Sequence, residues 1–155
     1  MKSRIAVQQE PFDIAAEIAA IKDGNAGIGA VVSFLGTVRD VASGRSVTRM
    51  TLEHYPGMTE RELRRIAEEA ASRWPLAGVT VVHRVGRLEA GDDIVLVIAA
   101  SAHRRAAFEA AEYIMDFLKT SAPFWKTEET LDGTGWVEAR ESDAAALWRW
   151  GRTEP

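Results

Sequence analysis

Two lysines frame the part of the chain best suited to chemistry. Lys119 closes the run Asp116-Phe117-Leu118-Lys119, and Lys126 follows Pro123-Phe124-Trp125 and precedes Glu128 and Glu129. A lysine in the last turn of a helix either complements the helix dipole or serves a site, and both readings of Lys119 stay open. Lys126 is different. Bulky aromatics limit its water, and neighbouring positive groups favour the neutral amine. A lysine tuned in that way acts as a nucleophile or as a general acid/base. Two further clusters are cationic. In Gly36-Thr37-Val38-Arg39, glycine permits close backbone approach, and exposed amides beside an arginine make an anion site; the alternative is a plain strand-to-loop turn with a solvated arginine. Ser101-Ala102-His103-Arg104-Arg105 opens a helix, where cations oppose the dipole. It is either an anion-recognition end or a tolerated group of surface charges.

The other residues with chemical potential read as structural. His54 and His83 lie in expected strands and lack the His-Glu-x-x-His spacing of a helical zinc site, so each is a core or edge histidine. Trp74, Trp148 and Trp150 are packing groups. Met58 and Met115 fill gaps, although Met115 lies one turn before Lys119 and can face the same pocket. No P-loop or GxGxxG fingerprint occurs.

Composition narrows the classes. The chain has 155 residues, 19 Lys+Arg against 23 Asp+Glu, a net charge of −4, 46% hydrophobic residues and no cysteine. One domain over residues 1–155 is expected, with a C-terminal tail from about residue 142. The acidic balance argues against general nucleic-acid binding. Without cysteine there is no disulfide, no Cys-ligated metal, and no thiol on this chain to carry sulfur. The first ten residues lack the apolar core of a signal peptide, and the longest apolar run, Ile94 to Ala100, is too short to span a bilayer. A cytoplasmic domain is expected, with no membrane and no nucleic-acid partner.

These residues must be held by recognisable elements. Arg4–Gln8 reads as a short strand. Asp13 caps a helix to Lys22 with Ile14, Ile18 and Ile21 on one face. Ile28–Leu35 is apolar and β-branched, a buried strand. A polar loop surrounds Ser43-Gly44-Arg45, and Val47–His54 alternates as a strand. Thr59 and Glu62 match a capping box for a helix to Trp74, stopped by Pro75. Strands Val79–Val85 and Ile94–Ala100 flank a loop at residues 86–92. Ser101 caps a long helix from Ala102 to Thr120, whose core face is Ala106, Phe108 or Ala110, Tyr113 or Ile114, and Phe117. Pro123–Lys126 reads as a stiff connector, and Glu128–Leu131 with Gly135–Ala139 as a hairpin around Asp132-Gly133-Thr134. Runs of adjacent strands argue for an α+β protein rather than a doubly wound parallel sheet.

Six segments taken together resemble one family. Phe34-Leu35-Gly36-Thr37-Val38-Arg39, Leu52-Glu53-His54-Tyr55-Pro56-Gly57-Met58, His83-Arg84-Val85-Gly86-Arg87-Leu88, Ser101-Ala102-His103-Arg104, Asp116-Phe117-Leu118-Lys119 and Pro123-Phe124-Trp125-Lys126 are similar, in order, to the large catalytic subunit of molybdopterin synthase. The resemblance spans about Ile5 to Ser142. It implies an α/β hammerhead-type fold with an additional small antiparallel sheet, a homodimer within a heterotetramer, and a ubiquitin-like partner ending in a Gly-Gly thiocarboxylate. The implied reaction is sulfur transfer to cyclic pyranopterin monophosphate, forming the dithiolene of molybdopterin without a metal or other cofactor.

The resemblance further implies catalytic roles for Lys119 and Lys126, and substrate binding by Thr37, Val38, Arg39, His103, Arg104, both lysines, and the backbone of Thr127 and Glu128. The family commonly has a basic residue where this chain has Thr127, which bears on the charge of the pocket. Phe34 or Trp125 is a candidate neighbour of the flat pterin, and Arg140 of the pocket rim. His103 and Lys119 are sixteen residues apart, about 24 Å along a helix, so a single small substrate touching both requires two subunits. Two other readings use the same residues: a binding module for a phosphorylated ligand or protein tail, and a lysine-based hydrolase or lyase.

Overall fold

A computed structural model describes residues 1–42, 45–130, 133–137 and 141–151. In chain order the elements are β1 (Lys2–Gln8), α1 (Ile14–Lys22), β2 (Ala30–Thr37), β3 (Val41–Ala42), β4 (Arg45–His54), α2 (Met58–Arg73), β5 (Leu76–Arg84), β6 (Gly86–Glu89), β7 (Asp93–Ser101), α3 (Arg104–Ser121), β8 (Phe124–Thr130), β9 (Gly133–Val137) and α4 (Glu141–Trp148). The protein is α+β with two sheets.

The first sheet has the order β1-β5-β7-β2. β1 runs parallel to β5, and the β5–β7 and β7–β2 pairs are antiparallel. β5 and β7 are central and buried on both faces, which explains their nearly unbroken apolar sequences. Val79, Val81, Val95 and Val97 face one way, onto Leu63, Ile66 and Ala70 of α2 and Tyr113, Ile114 and Leu118 of α3. Val82, Leu96 and Ile98 face the other way, onto Ile14, Ile18 and Ile21 of α1. Alternation along each strand therefore serves two layers of helices. Asp13 caps α1 as expected, accepting the Ala16 amide at 3.0 Å.

The second sheet has the order β3-β4-β8-β9, and β6 also pairs with β4. Several expectations change here. Residues 86–92 are not all loop, because β6 leaves β5 after Arg84 and joins the second sheet by pairing Leu52 with Gly86 and Met50 with Leu88. Pro123–Lys126 is a strand rather than a connector: β8 already begins at Phe124, where it pairs with His54. The expected tail contains α4, and the polar loop contains β3. Of the expected hairpin, Leu131, Asp132, Glu138 and Ala139 lie outside the described residues, and Gly133 and Thr134, expected in its turn, begin β9.

Two helix starts also move. The Thr59–Glu62 box does not form. α2 begins at Met58 because Gly57, at φ +86°, turns the chain at once, a conformation that disfavours L side chains. The Glu60 carboxylate reaches back to accept the Gly57 amide at 2.7 Å. Ser101 does not start α3; it ends β7, donates to the Pro75 carbonyl at 2.8 Å, and leaves His103 as the cap position. Phe108 lies outside the α3 core face and is 61% exposed, while Ala106, Ala110, Tyr113 and Ile114 are buried. Among the described residues no helix is long and apolar enough to cross a membrane.

Ile114 is 1% exposed beneath α2 and the sheet. Its replacement by alanine is expected to lower the unfolding free energy by about 2–5 kcal/mol, read as a lower urea midpoint with an unchanged slope.

Candidate functional site

β2 ends in a register shift at Gly36/Thr37. A Cβ on Gly36 would stand 2.6 Å from Val95 Cγ1, so only glycine lets β2 lie this close to β7. The next residue but one corrects the expectation of free amides. The Val38 N–H is donated to the Asp92 carbonyl at 2.9 Å, its carbonyl accepts the Gly91 N–H at 2.7 Å, and its side chain is buried. Val38 anchors the turn, and Thr37 and Arg39 are left exposed.

α3 starts with no side-chain cap and no acidic residue in its first turn. The expected cluster divides there. Arg105 pairs with Glu109 at 2.9 Å, and Glu109 also accepts the Trp74 indole N–H at 2.7 Å. These two bonds hold the Glu109 carboxyl below its ordinary range. Arg105 is thus part of a structural pairing. His103 and Arg104 remain exposed beside uncapped amides, and no carboxylate among the described residues forms an ion pair with them or with Arg39.

Lys119 is exposed in the last turn of α3, and Lys126 is half-buried in β8. A short link joins the two elements, and Thr59 ties it down. The Thr59 hydroxyl donates to the Pro123 carbonyl at 3.2 Å and accepts the Tyr55 amide at 3.1 Å. In β8, Lys126 pairs with Leu52 of β4 on one side and Val137 of β9 on the other. Strand alternation places Phe124 on the Lys126 face and Trp125 on the opposite one. Trp125 meets the Tyr55 ring edge-on at 4.4 Å, and with Glu53, His54 and Tyr55 it lines a hollow of about 450 Å³. The aromatic beside Lys126 is therefore Phe124 rather than Trp125.

Thr127 shares the Trp125 face and pairs with Thr51 and Trp136, so its lack of charge does not alter the face that carries Lys126. Glu128 pairs with Met50 and Gly135. With ladder partners on both sides, the Thr127 and Glu128 backbone belongs to the sheet. Phe34 is 41% exposed on the free edge strand β2, next to Leu35 at 40%. Met115 packs in the core. Arg140 lies outside the described residues.

One residue that the sequence marks only as core or edge links the two lysines. His83 is 6% exposed near the end of β5. Its ring stacks on Phe124 at 4.0 Å with a 23° interplanar angle, and its Nδ1 lies 2.8 Å from the Arg84 carbonyl. Burial, opposed by the hydrogen bond to the Arg84 carbonyl and aided by the charges of Lys119, Lys126 and His54, lowers its pKa to about 4. Lys119 and Lys126, from different elements, thus act on the same buried ring. The available sequence signal was a titratable residue inside the apolar run Val79–Val85.

The profile of the MoaE protein family matches residues 7–121. The chain is 58% identical over 146 residues to the molybdopterin synthase catalytic subunit of Pseudomonas aeruginosa, covering 94% of this chain and 97% of that one. Among solved structures, the molybdopterin biosynthesis MoaE protein from Burkholderia ambifaria superposes with a TM-score of 0.84 at 52% identity, covering 97% of this chain and 99% of the other. A chain from the complex of subunits 1 and 2 of the molybdopterin-converting factor of Helicobacter pylori shares the fold, with a TM-score of 0.71 at 18% identity over 88% of this chain and 91% of that one.

The His83 ring is neutral when folded and titrates near its ordinary 6.5 when unfolded. The unfolded state therefore binds more protons between about pH 6.5 and 4, so the stabilisation is complete above 6.5 and is lost as the pH falls through that window. Equilibrium urea unfolding at stepped pH is expected to show about 3 kcal/mol of loss from this group, and a flatter profile for His83→Gln.

Proposed function

We propose a site and a reaction course from one premise: the chain belongs to the MoaE protein family and is a molybdopterin synthase catalytic subunit, a sulfurtransferase of molybdenum cofactor biosynthesis. Sulfur arrives as the C-terminal thiocarboxylate of a small ubiquitin-like subunit and leaves on cyclic pyranopterin monophosphate as the dithiolene of molybdopterin. A carrier from outside is required, because the chain has no cysteine.

The observation that supports the site assignment is that β8 begins three residues after α3 ends, so Lys119 in the last helical turn and Lys126 in the strand flank one short link that the Thr59 hydroxyl holds at Pro123. The partner's extended tail threads toward Lys119; its thiocarboxylate sulfur attacks a carbon of the pterin side chain and displaces an oxygen substituent, and water then hydrolyses the resulting thioester, so that the sulfur stays on the pterin and the partner's terminus leaves as a carboxylate. Lys119 and Lys126 stabilise the negative charge that develops and move protons. Arg39 is presented by the Thr37–Val38 turn, and with His103 and Arg104 it holds the cyclic phosphate through both transfers. Thr127 and Glu128 continue the strand from Lys126 along the pocket edge.

α3 runs unbroken from Arg104 to Ser121, so His103 and Lys119 sit at opposite ends, about 24 Å apart. His103 and Arg104 therefore come from the second subunit of a homodimer. Phe34 and Leu35, adjacent in an edge strand and pointing to opposite faces, support a chain covering that edge. The assembly is a heterotetramer with two small subunits, working in the cytoplasm.

The test combines the protein, the precursor and a thiocarboxylated partner, and measures dithiolene product by mass. Lys119→Ala and Lys126→Ala are each expected to lose about 10²-fold or more in turnover while largely keeping substrate affinity; wild-type rates in both variants would refute the assignment. A mixed dimer with Lys119→Ala on one chain and His103→Ala on the other is expected to regain one working pocket. Recovery no better than either parent variant would refute the shared pocket.

A further inference from the structure

The two edges of the first sheet are built differently. β1 carries Lys2 and Arg4, charges of the kind that keep an edge strand from pairing with another chain. β2 has neither charge nor proline among its eight residues, and its outer side pairs with no strand of this chain. Exposure peaks at its middle: Ser33, Phe34 and Leu35 are all exposed, the two apolar ones at 41% and 40%. Phe34 lies opposite Val97 and points to the α3 side of the sheet; Leu35 lies opposite Leu96 and points to the α1 side. Both faces are therefore unfinished at the same place. On the α3 side Val32 packs against Ala110 and Ala111, near the middle of that helix, whose Phe108 is 61% exposed.

The ends of β2 lie beside the unpaired cations. Its start adjoins Ser101, which pairs with Ala30, accepts the Gly29 amide at 3.0 Å and stands two residues before His103. Its end leads through Val38 into Arg39. The strand is about 27 Å long at roughly 3.4 Å per residue, close to the ~24 Å from His103 to Lys119 along α3. We propose that β2 pairs antiparallel with β2 of a second copy, Phe34 facing the partner's Phe34 on a two-fold axis normal to the sheet. Such an axis keeps each face of the sheet on its own side, so opposed residues must share a face, and a self-paired residue at the centre meets that condition. Ser33 then meets the partner's Leu35, and Val31 meets the partner's Thr37. Arg39 comes to the partner's Gly29, beside the partner's His103 and Arg104. Two four-stranded sheets become one of eight strands, and the apolar edge is covered. Pairing through β1 would instead leave both sets of cations on outer edges. The inference rests on the proposed pocket shared by two subunits, and supplies the contact that would build it.

The chain has no cysteine, so a single introduced thiol reports on the axis without background. Opposed residues of paired strands stand about 4.5–5.5 Å apart at Cα, within disulfide reach. Phe34→Cys oxidised in air is expected to run as a linked dimer on a denaturing gel, and Ser3→Cys, on the β1 edge, as a single chain. No link at Phe34→Cys, or a link at Ser3→Cys alone, overturns the proposal. The second experiment is sedimentation with turnover. Leu35→Lys puts a charge into the pairing and is expected to sediment as a monomer where the wild type is a dimer, with the wild-type circular dichroism and a tenfold or greater loss of turnover. A folded Leu35→Lys that stays dimeric at the wild-type rate overturns the proposal. If that variant does not fold, the two crosslinks decide. A link at Phe34→Cys without recovery in the mixed dimer of Lys119→Ala and His103→Ala upholds the interface and refutes the shared pocket. Recovery in the mixed dimer without a link at Phe34→Cys upholds the pocket and overturns the interface.

Discussion

In the proposed site two ammonium groups share one pocket and repel each other, and the fold has to overcome that repulsion without discharging it. At close range the cost is ~1 kcal/mol in water and ~4 kcal/mol in the partly shielded surroundings of a protein surface. A carboxylate between the lysines would remove the cost and also the positive field that a phosphate-bearing substrate and an anionic sulfur donor need. Burial keeps the His83 imidazole neutral, and the charges of Lys119 and Lys126 act on it in the same direction. Arg105, Arg65 and Arg149 all have acidic partners. The cations at Arg39, His103 and Arg104 have none among the described residues. Charge is neutralised where it is structural and left open at the three positions proposed to hold the phosphate.

The junction of the two sheets makes this arrangement possible. β5 delivers His83 while still inside the first sheet, and the chain then crosses at Gly86 to pair with β4. β8 lies against β4 with Lys126 opposite Leu52 and Phe124 opposite His54. The link from α3 to β8 is too short to wander, and the fully buried Thr59 hydroxyl bonds its Pro123 carbonyl. On the far side of α3, the Trp150 indole donates to Asp116 at 2.6 Å, and Arg73 donates to the Trp150 carbonyl at 3.1 Å. The helix turn before Lys119 is therefore held from two directions. Positioning of this kind matters most when two successive transfers occur on one bound intermediate.

Much of the fold was legible because its signals are local. The apolar runs of β5 and β7, the Asp13 cap, the Pro75 stop and the long α3 follow from residue type and spacing. What escaped depends on pairing. β6 is a four-residue strand whose only reason to be extended is β4, and its own residues, Gly-Arg-Leu-Glu, carry no strand pattern. Which aromatic shares the Lys126 face stayed open because the face of a strand residue depends on pairing, which a sequence does not reveal when the strand is mistaken for a connector. The site residues were legible chiefly through the family resemblance. Local spacing left Lys119 and the Arg39 turn open between site and surface, and His83 read as core because its burial is real. Its relation to the lysines exists only once β5, α3 and β8 are assembled.

The lack of cysteine gives the lysine pair its chemical sense. An enzyme that relays sulfur through its own thiol needs a low-pKa cysteine, and that nucleophile competes for every electrophile in the pocket. A chain that receives sulfur on a partner's terminus needs the reverse: an electropositive hollow that attracts the thiocarboxylate and does not itself attack. Ammonium groups meet that need, since a protonated lysine is a charge and a proton donor rather than a nucleophile. Two features that look unrelated in the sequence, an absent residue type and two lysines seven residues apart, then fit one requirement of the proposed site: positive charge kept in place while the partner's sulfur reacts.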